Sequence, residues 1–511
     1  MAAAPGTGTE MKRTLTMTGL TINAMALIAP GAFLWTTFQA QVVQQNGGAT
    51  TAYDMVPGLL FVLALAFLTA LSYSELANLY PEAGAGSSYY FAEAAFLGRE
   101  EQIHYKFARL AKFVVGWISH LYYWIYPGIM VAFTATLLVF ILGQFGVVLN
   151  QPLEIVAAFG FSAVVGLIAY RGISGSTMTA VVINAIQLTA LVAFAILAIA
   201  FRMTHPELSY AHSGLASVVL PHNFTNVIFQ GTIAILLLVG FESVTALGGE
   251  AINPKRDVRR AILLSLAIQG GVAYLIEYVS ANFFVNSSTV AASTDGYAAA
   301  AASPAPIADM IRQIGDVMLG GTGFPLVIIL AATVLIALIG TTLACLNTGV
   351  RITYVMGRDN EVPGILGMLH FRHATPHYGV IALTVVSAIL GGYAVLSADN
   401  LLQITLASNT GTFLVYGMTC ALVLVAFGHE HKRNFIRHVV IPVLGLLANL
   451  GMLAGVVVMS VSAGGSTQTD TLIALGIVGV WIVIGAAWLV LNSAGSKKSL
   501  LVTPAVISPE R

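Results

Sequence analysis

The sequence predicts an all-α polytopic membrane protein of about twelve transmembrane helices. Composition is the first observation: of 511 residues, 57% are hydrophobic and only 9% are charged. Mean hydropathy is +0.86. A soluble domain carries about 25% charged residues, so this chain has too few to cover a water-facing surface. The second observation is spacing. Apolar runs near the ~20 residues that cross a bilayer as a helix recur from end to end. The ~10-residue alternating segments of a transmembrane β-barrel do not.

Taken in order, the runs place spans at 15–39, 57–79, 113–143, 154–170, 174–201 and 226–250. They continue at 261–284, 324–356, 378–396, 400–427, 438–461 and 471–491. The opening MAAAPGTGTEMKR precedes an apolar stretch too long for a cleavable signal, so the first span is expected to be retained. The expected organisation is a tail at 1–14, five spans over 15–201, a loop at 202–225, five more over 226–427, two peripheral spans over 428–491 and a tail at 492–511. The loop at 285–322, with SSTVAASTDGYAAAAASPAP, reads as a flexible outer segment. Cys345 and Cys420 both fall in apolar runs and are expected as small packing residues rather than a disulfide.

Charge supplies the third observation. With the N-terminus in the cytoplasm, only Arg202 and Arg312 of the 22 Lys and Arg lie outside, leaving 20 inside. The positive-inside rule therefore predicts an even span count with both termini cytoplasmic, in a cell (inner) membrane.

Two spans are interrupted. Pro30-Gly31 lies near the middle of the first. Proline lacks an N–H and disturbs the preceding turn, and glycine adds backbone freedom. In the sixth span, Leu236-Leu237-Leu238-Val239-Gly240-Phe241-Glu242 places a glycine and a carboxylate deep in an apolar helix. The first span opens one block of five and the sixth opens the next. Five is odd, so the second block enters from the opposite side. Matching breaks in two such halves point to an inverted-repeat transporter with its substrate site at the breaks. Freed N–H groups there carry partial positive charge and freed C=O groups partial negative charge, which suits a zwitterionic amino acid. An amine also fits if Glu242 contributes its charge, because intramembrane carboxylates are functional by default. The bland alternatives are a proline kink and close glycine packing.

Three stretches resemble the amino acid–polyamine–organocation transporters. Ser72-Tyr73-Ser74-Glu75-Leu76-Ala77 through Tyr80-Pro81-Glu82-Ala83-Gly84 is similar to the end of their second span. Gly240-Phe241-Glu242-Ser243 with Glu250-Ala251-Ile252-Asn253-Pro254-Lys255-Arg256-Asp257 resembles their sixth. Arg351-Ile352-Thr353-Tyr354 through Arg358-Asp359-Asn360 resembles their eighth. The resemblance implies a LeuT-type fold, a 5+5 inverted repeat plus two peripheral helices, and alternating access around a midplane site. It places the substrate carboxylate on backbone N–H groups near Ala29, Pro30, Gly31 and Ala32, with Pro30 at a family Ser or Gly position. It places the ammonium on carbonyls near Leu236 and Val239, beside Gly240 and Phe241. Leu236 stands where arginine/agmatine exchangers carry Trp. Gln187 stands where some proton-coupled members carry Lys, so it joins Glu242 as a coupling candidate.

Other polar residues complete the reading. Asn347 is a candidate for the cavity lining, and Tyr122, Tyr123, Trp124 and Tyr126 flank it or pack as an aromatic face. Glu75 and Glu250 are expected to pair with inner basic residues, Arg351 or Arg358, as gating ion pairs. No metal site is expected beyond sodium candidates at Ala26, Thr341 and Thr342, set against the usual bond of a helical hydroxyl to its own i−4 carbonyl. His120 is expected as a hydrogen-bonded core residue, and Glu277 is left unassigned. No Walker-type phosphate loop or nucleophile–base set appears, so neither direct ATP drive nor an enzyme is expected. The expected function is secondary active transport of amino acids or related amines, by proton coupling or exchange. A polyamine or organic-cation carrier and a transport-dead nutrient sensor on the same scaffold are the alternatives. The expected partners are a small amino acid or amine and the lipid bilayer, with self-association left open and no nucleic acid. A proton or sodium gradient stands in place of a cofactor.

Overall fold

The computed structural model describes residues 14–28, 30–81, 86–97, 104–172, 177–205, 218–284, 296–371, 373, 375–428 and 433–495. Ten of the described helices are long and apolar enough to cross a membrane. The sixth crossing is built from shorter pieces, and the first is described over Met17–Ile28 and Pro30–Val43, with Ala29 outside the described residues. The uninterrupted spans are Met55–Leu79 (span 2), His104–Gln144 (span 3), Gln151–Tyr170 (span 4), Thr177–Thr204 (span 5) and Pro254–Phe284 (span 7). Gly323–Arg358 (span 8), His377–Ala394 (span 9), Ala398–Ala426 (span 10), Ile441–Ser462 (span 11) and Gly465–Gly495 (span 12) follow. Ten spans, the sixth of them interrupted, thus precede two further spans.

Local chemistry sets the ends. Asn150 accepts from the Leu153 N–H to cap span 4, and Ser397 accepts from the Asn400 N–H to cap span 10. Each supplies an acceptor to a helix start that would otherwise hold unpaired donors. The sixth span starts on Asn223, whose side chain accepts from the Thr225 and Asn226 N–H groups.

Span 10 lies at the centre, with 67% of its most apolar stretch buried, whereas span 12 is peripheral at 17%. Span 12 is nevertheless fastened to span 3. The Trp117 indole N–H donates to the Trp481 carbonyl at 2.9 Å, and the Trp481 indole donates to the Trp117 carbonyl at 2.9 Å. Their rings stack with centroids 4.7 Å apart.

The connection after span 7 differs from the expected flexible segment. Residues Gly296–Ala302 and Pro306–Met318 form two helices, and the second buries Ile307, Met310, Ile311 and Ile314. Those apolar residues recur at helical spacing, and covering them stabilises the segment against its neighbours. Residues 285–295 lie outside the described part. Cys345 and Cys420 are both free and buried.

On the face carrying the N-terminal segment, the approach to span 1 is tied to the end of span 6. The Thr14 and Leu15 N–H groups donate to the Glu250 carbonyl at 2.9 Å, and the Ile252 N–H donates to the Leu15 carbonyl at 2.9 Å.

Candidate functional site

Span 1 is helical over Met17–Ile28 and over Pro30–Val43; Ala29, where the break is expected, lies outside the described residues. Span 6 runs as a helix over Phe224–Ala234, tightens to a 3-10 turn at Ile235–Leu237, and resumes only at Ser243–Ala246. Gly240 in the gap has φ +126°, a conformation that needs glycine.

The gap in span 6 lies against span 1. A Cβ on Gly240 would lie 2.9 Å from Leu27 Cβ and 3.1 Å from the Ile28 nitrogen. Polar side chains from other spans hold the exposed backbone. The Gln269 amide of span 7 donates to the Met25 carbonyl at 3.1 Å, and the Asn409 amide of span 10 donates to the Thr232 carbonyl at 2.8 Å. In a membrane, backbone groups freed by a break have to find such partners.

Glu242 is 2% exposed. Its carboxylate accepts from Tyr416 Oη at 2.8 Å, from the Gly240 N–H at 3.0 Å and from Tyr123 Oη at 3.1 Å. Spans 3, 6 and 10 therefore converge on one carboxylate. Tyr73 of span 2 completes an aromatic cage, with its ring centroid 6.1 Å from both Phe241 and Tyr416.

A cavity of about 140 Å³ flanks the breaks on the other side, between spans 1, 5, 6 and 8. Asn23, Ala26, Gln187, Ser243 and Asn347 are among its walls, and Arg351 lies at its edge on the N-terminal face. Gln187 is 3% exposed, and its amide nitrogen has no hydrogen-bond partner among the described residues. That nitrogen is 3.0 Å from where a Cβ on Gly31 would stand. A small cavity of about 50 Å³ near the opposite face is lined by Thr36, Thr37, Leu236 and Leu402, among others.

The structure thus gathers Pro30, Gly31, Leu236, Val239, Gly240, Phe241 and Glu242 at or beside the breaks, all buried. Ala29 lies outside the described residues, as does the side chain of Ala32. Glu242 turns toward spans 3 and 10, away from the cavity that holds Gln187 and Asn347. The sodium candidates make a closed pair of contacts: Thr341 Oγ1 donates to the Ala26 carbonyl at 2.9 Å, and Thr342 Oγ1 to its own Leu338 carbonyl at 2.6 Å.

Of the gating pairs, Glu250 meets Arg351 at 2.8 Å. Glu75 does not pair with Arg351 or Arg358. It meets Arg259 at 3.1 Å and His438 at 3.5 Å, because span 7 packs along span 2 and brings Arg259 alongside. Arg358 instead sits over the Tyr354 ring at 5.9 Å. His120 is buried, bonded to the Gly116 carbonyl and Thr353 Oγ1, each at 2.8 Å.

Sequence reasoning missed Tyr416 as a partner of Glu242, and it had Tyr73 only as a motif letter. It also missed an ionic cluster on the N-terminal face. Lys112 Nζ lies 2.6 Å from Glu93 and 2.7 Å from Asp359. Glu361 sits beside it, fully buried, with neither carboxylate oxygen hydrogen-bonded among the described residues. Burial pushes the Glu361 carboxyl up to about 8, with nearby Lys112 opposing that rise.

A sixth span interrupted in mid-course and packed on the first, inside a bundle of twelve spans and around a buried carboxylate, marks a membrane transporter rather than an enzyme. The profile described as "Amino acid permease" matches residues 23–494, and the chain belongs to that family. It is similar to a branched-chain amino acid permease, BcaP, of Bacillus subtilis (strain 168), at 24% identity over 81% of each chain. A low-affinity putrescine importer, PlaP, of Escherichia coli (strain K12) is 23% identical over 83% of each. A methylthioribose transporter of Bacillus subtilis (strain 168) is 22% identical over 86% of this chain and 87% of its own.

Proposed function

We propose that the protein carries a small amino acid across the cell membrane by alternating access, with its N-terminal face in the cytoplasm. The observation that carries this reading is the contact of Gly240 with Leu27 and Ile28, which sets the gap in span 6 against span 1 just before Pro30-Gly31. The first turn of Pro30–Val43 offers N–H groups to a carboxylate. The ends of Met17–Ile28 and Phe224–Leu237 offer carbonyls to an ammonium. The cavity beside them, walled by Asn23, Gln187 and Asn347, supplies neutral polar groups for the rest of the solute. Protons or a counter-substrate drive the cycle, with Glu242 as the coupling group. The Glu250–Arg351 pair closes the cytoplasmic side, and the branched-chain permease similarity agrees with an amino acid cargo.

A second reading, a polyamine carrier, is favoured by one observation. Glu242 brings a buried negative charge to the break, and the putrescine importer is among the relatives. Uptake into proteoliposomes separates the two, using labelled branched-chain amino acids, putrescine and methylthioribose, with and without a proton gradient. Accumulation of an α-amino acid supports the first reading and accumulation of putrescine alone supports the second. No uptake above that of empty liposomes overturns both, and ligand binding without flux identifies a sensor.

A further inference from the structure

A second intramembrane carboxylate has no part in the site described so far. Glu277 of span 7 is 0% exposed. Its Oε1 accepts from Gln41 Nε2 at 3.1 Å, and Gln41 belongs to the second half of span 1. Two atoms of this pair are buried without a hydrogen-bond partner among the described residues: Glu277 Oε2 and Gln41 Oε1.

Those two orphans are both acceptors as long as Glu277 is ionised. An ionised carboxylate with one neutral donor, deep in an apolar bundle, is costly. Each unpaired acceptor adds desolvation cost. One proton removes all of these costs together. Placed on Oε2, it is donated to Gln41 Oε1 while Gln41 Nε2 still donates to Oε1. The acid and the amide then form a closed pair of parallel hydrogen bonds, and neither orphan remains.

Neighbouring charges do not offer another solution. Glu277 has no ion-pair partner among the described residues. On its own helix the nearby titratable groups are Tyr274 and Tyr278, which stack on each other. Span 2 brings Tyr73, bonded to Ser88, and Glu75, bonded to Arg259. Arg259 precedes Glu277 by 18 residues of helix, roughly 27 Å of rise. Span 5 brings Arg202, which lies beside Tyr278 and Asn282. The helices after span 7 bring Tyr297, bonded to the Ala281 carbonyl, Asp309, bonded to Ser303, and Arg312, bonded to Gln144. Span 6 brings Glu242, held by Tyr123 and Tyr416, and Glu250, paired with Arg351. The helix Met17–Ile28 has no titratable residue.

We propose that Glu277 is a proton-binding site, carrying one proton shared with Gln41 whenever the second half of span 1 is seated on span 7. The consequence for transport rests on the alternating-access reading above. Separation of the two helices strands Glu277 in water and releases the proton. By linkage, a proton that binds only the seated arrangement favours it by the same factor. Acid on the face opposite the N-terminus therefore drives closure of that face.

The test begins on purified protein without substrate, so its result stands whether or not a cargo is found. Infrared spectra at neutral pH should show a protonated-carboxyl C=O band that disappears in Glu277→Gln. Gln41→Leu should keep the band but move it to higher frequency, since the carbonyl loses its amide donor. A spectrum unchanged by Glu277→Gln overturns the proposal. If that variant does not fold, an unmoved band in Gln41→Leu overturns it instead. In proteoliposomes, Glu277→Gln should retain substrate exchange but lose part of the dependence of uptake on pH at the face opposite the N-terminus, the part left belonging to Glu242. Retention of the full dependence overturns the link to closure.

Discussion

Gly240→Ala tests whether the contact between the gap in span 6 and span 1 matters. Alanine at φ +126° is held in a strained backbone region, at about 1–3 kcal/mol. The new methyl would also meet Leu27 Cδ2 at 2.6 Å, Leu27 Cβ at 2.9 Å and the Ile28 nitrogen at 3.1 Å. The Leu27 Cδ2 end can rotate aside. The Leu27 Cβ and the Ile28 backbone cannot, so the ends of the two spans have to separate. Overpacking of this kind costs about 1–3 kcal/mol. The sum is about 2–6 kcal/mol, against a typical total stability of about 5–15 kcal/mol. The expected outcome is a melting temperature lowered by several degrees and uptake reduced at least tenfold. Gly271→Ala is the control, because a Cβ there meets nothing within 4 Å. That variant should melt and transport like the parent. Purified protein is melted in detergent and assayed for uptake in proteoliposomes. If Gly240→Ala matches its control in both, span 6 does not need to meet span 1 at Gly240 and the site has been placed wrongly.

Glu242→Gln leaves one carbonyl oxygen where two carboxylate oxygens accept from three donors. At least one donor must face the new amide, costing about 1–3 kcal/mol, and the pH dependence of flux should flatten; a profile like that of the parent removes Glu242 from coupling. Breaking the half-exposed Glu250–Arg351 pair with Arg351→Gln should change stability by no more than about 1 kcal/mol. It should instead raise labelling, from the N-terminal face, of a cysteine introduced at Asn347, and unchanged labelling argues against a gate. Glu361 binds its proton more tightly folded than unfolded, up to about 8. Its stabilising contribution is complete below the unfolded value near 4.5 and is lost as pH rises through about 8. Thermal melting should therefore weaken across that window in the parent and change less in Glu361→Gln; parallel curves refute the assignment.

The spans were legible because bilayer thickness writes itself into the length of apolar runs. The break in span 6 was legible because Gly240 and Glu242 violate what an uninterrupted membrane helix requires, while the break expected at Pro30-Gly31 adjoins Ala29, outside the described residues. Glu250 and Arg351 were paired correctly from charge sign and depth. Glu75 was misassigned because depth alone does not tell which helix lies alongside. Its partners Arg259 and His438 follow from how spans 7 and 11 pack on span 2. Tyr416 was missed for a related reason. It is separated from Glu242 by 174 residues, and an intramembrane tyrosine carries no local pattern that names its partner. The helix Pro306–Met318 was hidden by the small residues before it, although its own apolar spacing was present.

The reciprocal indole bonds between Trp117 and Trp481 make span 12 a splint for span 3. A rigid body so braced has little freedom to rock with the broken helices. A fluorophore attached to the C-terminal span should consequently report the stationary frame, against which the excursions of the first and sixth spans can be measured.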